Sequence, residues 1–171
     1  KNVSRAEERL QALEKMNEIG FPTKKWEDWK YTSLKTVTQY FQSDFSESRK
    51  TQRLQLGHFA NEVTIQCHNG YFDIEGVKDI LAGLGIEVSS LDWAIENKKI
   101  ENLEVLESFA LLNSALYENG IHIKVKKTCR LEKPLTIRYG SDVNTQIINP
   151  FVVLELEDSA HIKLHEVYDK V

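Results

Sequence analysis

The chain has 171 residues, of which 41% are hydrophobic and 28% charged, a composition that excludes disordered and fibrous proteins. Its 22 basic and 26 acidic residues give a formal net charge of -4, which argues against a generic binder of nucleic-acid phosphates. The length suits one ordinary domain or two small ones.

The first predicted element is an amphipathic helix over residues 5–19. Ser4 and Glu7 have the spacing of a capping box at its start. Gly20 and Pro22 are typical of a helix end. The apolar face is predicted from residues that recur at three-residue steps: Leu10, Leu13, Met16 and Ile19.

The segment that follows is predicted to be only partly helical. Thr23 is expected to cap a short second helix that carries Trp26 and Trp29. A further helical turn is expected at residues 37–41, and a polar loop at residues 43–52.

The period changes to two after Glu62. Apolar and polar residues alternate over residues 63–68, and Asn69-Gly70 is a strong signal for a tight hairpin with a return strand at residues 71–74. Later elements are expected as a helical turn at 77–84, a strand at 86–88 and helices at 91–97 and 106–117.

From Gly120 onward the chain is predicted to be all-β. Four alternating segments are expected as strands, at residues 121–125, 135–139, 152–156 and 162–164. We therefore predict a helical or α+β region at residues 1–119 and an all-β region at residues 120–171. Periodicity leaves open whether these strands form a meander, a sandwich or the coils of a β-helix.

The cellular location is predicted from two kinds of segment that the sequence lacks, a membrane span and a signal peptide. No stretch approaches the ~20 apolar residues of a membrane span, and residues 1–5 do not begin a signal peptide. Cys67 and Cys129 do not make a disulfide framework, so a cytoplasmic protein is expected. Because the sequence starts without Met and stops after a strand-like run, we expect it to be part of a longer polypeptide.

Motifs for phosphate binding and nucleophilic catalysis are missing. The sequence contains neither Gly-x-x-x-x-Gly-Lys-Ser/Thr nor Gly-x-Gly-x-x-Gly, and it has no Gly-x-Ser-x-Gly. Glu155, Glu157 and Asp158 could act as paired carboxylates, but a solvated strand face explains them better.

Histidines raise the question of a metal site. His161 and His165, if both lie on one strand, are ~13 Å apart, too far to share a zinc ion. A cupin-like metalloenzyme would need a metal held by His122, His161 or His165. We expect instead that these side chains face solvent or are bonded locally.

Neither cysteine has an identifiable catalytic partner. Cys67 and His68 should point to opposite faces of a strand, with Cys67 buried and inert. Cys129 follows Lys126 and Lys127, whose charges could lower its pKa, although an ordinary loop residue is the simpler interpretation.

Aromatic residues cluster after the first helix. Trp26, Trp29 and Tyr31 could stack on a sugar or a base, as in a carbohydrate-binding module. Packing against the first helix is the preferred interpretation.

The segment Phe21–Leu34 resembles an N-terminal motif of the SufB/SufD family of iron–sulfur cluster assembly scaffolds. The matching positions are Pro22, Thr23, Glu27, Trp29, Lys30, Tyr31, Thr32 and Leu34. Further segments resemble the family in the same order: Phe109–Leu116, Gly120–Val125, Glu132–Leu135, Ile148–Pro150 and Glu157–Tyr168. The Trp-Lys-Tyr-Thr sequence resembles the SufD members of the family more than the SufB members.

This resemblance implies a non-catalytic scaffold that works with SufB and SufC, with the iron–sulfur cluster in the full complex. It implies a right-handed parallel β-helix, of which residues 120–171 are the first coils. No catalytic, cofactor-binding or metal residue of the family can be placed on this chain, and the regions that meet SufB and SufC lie largely beyond it. An open edge strand would favour association between copies of this fragment.

Overall fold

The computed structural model describes residues 5–41, 63–100, 107–142 and 148–169 of a mixed α+β protein. The elements follow one another as α1 (Arg5–Ile19), a 3-10 turn (Glu27–Trp29), α2 (Lys35–Phe41), β1 (Thr64–His68), β2 (Tyr71–Asp73), α3 (Lys78–Gly83), β3 (Ile86–Ser90), α4 (Leu91–Glu96), α5 (Ser108–Leu116), β4 (Gly120–Val125), β5 (Leu135–Gly140), β6 (Phe151–Leu156) and β7 (Leu164–Tyr168). They divide into two compact units. One contains α1, α2 and α5, and the other contains the described strands with α3 and α4.

The helical unit is built on the contact between α1 and α5. The buried apolar cluster of its described residues consists of Ala12, Met16, Leu111, Leu112 and Ala115. The span of α1 confirms the predicted helix, but its predicted apolar face is confirmed only at Met16, whereas Leu10, Leu13 and Ile19 are exposed. Leu10 is 59% exposed, because the row that faces α5 has the four-residue spacing of Ala12 and Met16.

The predicted end of α1 is confirmed. Gly20 has a φ of +74°, and its N–H donates to the Met16 carbonyl at 2.7 Å. Pro22 follows and is buried. Ser4, which was expected to begin the helix, lies outside the described residues.

Thr23 does not cap a helix. Its Oγ1 accepts a hydrogen bond from the Lys25 N–H at 3.3 Å, and the cap position of the 3-10 turn is Trp26, which makes no side-chain cap bond. The helical turn expected at residues 37–41 is confirmed within α2. The polar loop predicted at residues 43–52 lies outside the described residues.

Among the described helices, none is both long and apolar enough to cross a membrane.

The strand unit contains two sheets. Sheet A has the order β2-β1-β5-β7, and sheet B has the order β3-β4-β6. The β1/β2 and β3/β4 pairs are antiparallel, whereas β1/β5, β5/β7 and β4/β6 are parallel. The inward faces of both sheets enclose one apolar core together with α3: Ile65, Leu81, Ile86, Ile121, Ile123, Val125, Leu135 and Ile137.

The predicted hairpin is confirmed. Asn69 and Gly70 connect β1 to β2 with φ values of +48° and +85°, as a two-residue turn between antiparallel strands requires. The four strands expected after Gly120 are also found, although β7 begins later than predicted, at Leu164. The domain boundary proposed between residues 119 and 120 stays a prediction.

The loop between α3 and β3 touches the loop between β4 and β5 through backbone atoms. Gly85 has a φ of +83°, and a Cβ built on it would lie 2.9 Å from the Cys129 backbone nitrogen. The Gly85 carbonyl accepts from the Lys126 N–H at 2.9 Å, and the Leu84 carbonyl accepts from Arg130 at 3.0 Å. Glycine is therefore required at position 85 for both conformation and space.

Replacing Gly85→Ala should destabilise the strand unit by about 2–4 kcal/mol, because it combines a left-handed backbone with an overpacked contact. Gly83→Ala is the matched control, since nothing lies within 4 Å of its added methyl group. We expect the control to change stability by no more than about 0.5 kcal/mol. Urea unfolding followed by circular dichroism compares the two variants, and equal midpoints would contradict the prediction.

Candidate functional site

A group named here the polar row lies on the outer face of sheet B and consists of His122, Lys124 and Glu155. His122 and Lys124 alternate along β4 with the core residues Ile121 and Ile123, so they point away from the core. Glu155 on β6 is the register partner of Lys124. The parallel pairing of β4 with β6 thus assembles the polar row from residues far apart in the sequence.

The Glu155 carboxylate is the centre of the polar row. One oxygen accepts from Lys124 Nζ at 2.6 Å, and the other lies 3.0 Å from His122 Nε2. The hydrogen bond from Lys124 and then that from His122 hold the pKa of Glu155 below its usual range. The carboxylate is thereby kept ionised and occupied, which suits a link between strands rather than a general base.

A second group, the tyrosine row, crosses sheet A. Phe72, Cys67, Tyr139 and Tyr168 are successive register partners on its four strands. The Tyr139 and Tyr168 rings stack with centroids 4.7 Å apart, and Phe72 meets Tyr139 edge-on at 6.2 Å. Such aromatic pairs stabilise adjacent strands beyond the area that they bury.

The groups in the tyrosine row are held in their neutral forms. Burial raises the pKa of the Cys67 thiol to about 12. Burial, followed by the Glu166 carboxylate that accepts from its Oη at 2.6 Å, raises the pKa of Tyr139. A neutral thiol and a neutral phenol do not act as nucleophile or base near pH 7.

An ion pair joins β5 to the residue after β7. The Arg138 guanidinium donates two hydrogen bonds to the Asp169 carboxylate, one of them 3.0 Å long between Nη2 and Oδ1. The pair lowers the pKa of Asp169 and raises that of Arg138. Like the polar row, it links parallel strands by a charge-assisted contact.

The histidines proposed for a cupin-like site are not brought together. His122 lies on sheet B, His165 is exposed on β7 in sheet A, and His161 is exposed ahead of β7 rather than on a strand. Over the described ranges, no group of three or more His, Cys, Asp or Glu side chains is arranged to hold a metal ion.

The acidic residues differ from the solvated face that we expected. Glu155 is bonded within the polar row, and Glu157 Oε2 accepts from the Lys127 N–H at 3.1 Å. Asp158 is exposed. Sequence reasoning missed the partners of Glu155, although Lys124 and Glu155 occupy equivalent outward positions in two alternating segments, and that equivalence was the available signal.

The aromatic residues after α1 are divided between packing and exposure. Trp29 is half-buried, and its ring centroid lies 5.4 Å from that of Phe109 on α5, whereas packing against the first helix was predicted. Trp26 is exposed, and Tyr31 is 91% exposed. Packing therefore explains Trp29 but not Tyr31.

Two comparisons with known proteins bear on these residues. Residues 4–72 match the family model described as the SufBD protein N-terminal region. The chain has a SufD-like N-terminal region. It is also 29% identical over 150 residues to the iron–sulfur cluster assembly protein SufD of Escherichia coli (strain K12), a match that covers 84% of this chain and 34% of that protein. The chain thus spans about a third of the length of this curated relative.

The SufD-like region includes the Trp29 motif and β1 and ends within β2. The polar row lies outside residues 4–72, but the strands that carry it, β4 and β6, are part of the strand unit to which β1 and β2 belong. The recognition made from the motif at residues 21–34 is confirmed by both comparisons.

The polar row should contribute to stability in a pH-dependent way. Because folding lowers the pKa of Glu155, its carboxylate stabilises the fold at pH values above its ordinary pKa of 4.5. This stabilisation is lost as the pH falls through the pKa of Glu155 in the folded state. We expect Glu155→Gln to cost about 0.5–1 kcal/mol at pH 7 and almost nothing at low pH. Urea unfolding over a series of pH values from 7 downward measures the difference, with the exposed loop residue Glu132→Gln as control. A difference that does not shrink as the pH falls would disprove the assignment.

The two thiols should differ in reactivity. Cys67 is 1% exposed with a raised pKa, whereas Cys129 is free, half-buried and preceded by lysines. At pH 8 we expect a disulfide reagent to modify one thiol per native chain and two per unfolded chain. Mass spectrometry of the peptides identifies the site, and native labelling of Cys67 at the rate of Cys129 would refute the buried assignment.

Proposed function

We propose that this chain is the N-terminal part of a non-catalytic scaffold subunit of an iron–sulfur cluster assembly complex. The observation that carries this proposal is the match of residues 4–72 to the SufBD N-terminal region, supported by the similarity to SufD over 150 residues. The partners that we propose are SufB and SufC, bound largely through sequence that follows this chain. The cluster is the cargo of the whole complex.

The strand pairing supports the β-helix that this proposal includes. Gly120 of β4 pairs with Phe151, 31 residues later, and Leu135 of β5 pairs with Leu164, 29 residues later. Both pairs are parallel and belong to different sheets. Parallel stacking at a nearly constant sequence interval is what successive coils of a parallel β-helix produce, so we propose that β4–β7 are its first two coils.

The scaffold role is supported by how the polar side chains are used. Glu155 is bonded to Lys124 and His122, and Asp169 is bonded to Arg138, so these charged groups join neighbouring strands. Cys67 is kept in its thiol form by burial. A chain that uses its ionisable groups in this way supplies a surface and a shape to partners, and we propose a cytoplasmic setting for it.

The proposal predicts a stable complex. The complete gene product that contains this chain, carrying an affinity tag, should co-purify with SufB and SufC when the three are expressed together. The same tag on an unrelated domain is the control. A monodisperse monomer that elutes free of both partners by size-exclusion chromatography would rule the proposal out.

A further inference from the structure

His68 is a buried imidazole that no group of the described residues satisfies. It is the last residue of β1, and its side chain is 10% exposed. Both ring nitrogens are buried, and within the described ranges neither has a hydrogen-bond partner. Because an unpaired buried polar group costs free energy, such a group in a folded protein points to an ion, a ligand or an ordered water at that position.

The carboxylate of Asp142 lies opposite this ring. Its Oδ1 is 3.5 Å from His68 Nε2, which is longer than an ordinary hydrogen bond. Two donor atoms on a tetrahedral ion with bonds of ~2.0–2.1 Å are about 3.4 Å apart. The spacing therefore fits two ligands of one metal ion better than it fits a direct contact.

Asn69 holds the carboxylate in place. Its Nδ2 donates to Asp142 Oδ1 at 2.6 Å, and its Oδ1 accepts from the Asp142 N–H at 3.2 Å. Asn69 is itself fixed by the left-handed turn and by its N–H, which donates to the Gly140 carbonyl at 3.0 Å. Hydrogen bonds of this kind orient a ligand before the metal arrives.

We propose that His68 Nε2 and Asp142 Oδ1 bind one divalent first-row transition-metal ion, for which Zn²⁺ is a suitable probe. Imidazole and carboxylate are both ligands of such ions, and water completes the coordination. With two protein ligands, the ion is exchangeable rather than a structural requirement of the fold. This site stands independently of the scaffold proposal, since it is built on the β1–β2 turn and the end of β5.

The test is a Zn²⁺ titration of the whole chain at pH 7.5 in competition with a chromophoric chelator. We expect one Zn²⁺ per chain and a dissociation constant raised about tenfold or more by His68→Gln and by Asp142→Asn. Asp142→Asn keeps an oxygen that can accept from Asn69, so it removes the charge with little change of shape. Zn²⁺ should also raise the melting temperature of the wild-type chain and not that of either variant.

Matched controls distinguish this site from casual binding to surface groups. His165→Gln and Asp158→Asn make the same chemical changes at exposed positions and should leave the affinity unchanged. Binding that survives both site variants, or that is lost with His165→Gln, would overturn the proposal. Lack of saturable binding up to millimolar Zn²⁺ would also overturn it and would assign the space beside His68 to water.

Discussion

Apolar contact between the two sheets is the interaction on which the strand unit depends. Ile65 and Ile137 of sheet A and Ile123 and Val125 of sheet B are fully buried, and they come from strands spread over more than 70 residues. Because side chains alternate along each strand, this contact fixes which residues face outward. A register slip of one residue would bury Lys124 and expose Ile123, so the core also sets the positions of the polar row.

The contacts between successive parallel strands are varied rather than repeated. Between β4 and β6 the link is ionic, through Lys124 and Glu155, whereas β5 and β7 are joined by stacked tyrosines and by the Arg138–Asp169 pair. From periodicity alone, each of these side chains would be described only as outward and polar or as inward and aromatic. The SufD-like N-terminal region precedes the strands that these contacts join.

Sequence reasoning predicted local structure well and tertiary partners poorly. The span of α1 and the Asn69-Gly70 hairpin followed from short-range signals, namely helix-ending residues and tolerance of positive φ. The predicted face of α1 was right only at Met16, because its partner, α5, is distant in sequence. The contacts of Glu155 and the unpaired ring of His68 depend on strand register between distant segments. Equivalent outward positions were the available signal for Glu155, whereas local patterns gave none for His68.

The placement of β5 has a consequence for the order in which the chain folds. In sheet A, β5 lies beside β1, and Thr64 of β1 pairs with Thr136 of β5, 72 residues later. The β1–β2 hairpin, by contrast, is closed by a turn of two residues. Loop closure over so long an interval is entropically costly, and non-local parallel pairing is slow. The hairpin therefore presents an open strand edge until β5 pairs with β1, and such an edge is a site at which nascent chains associate.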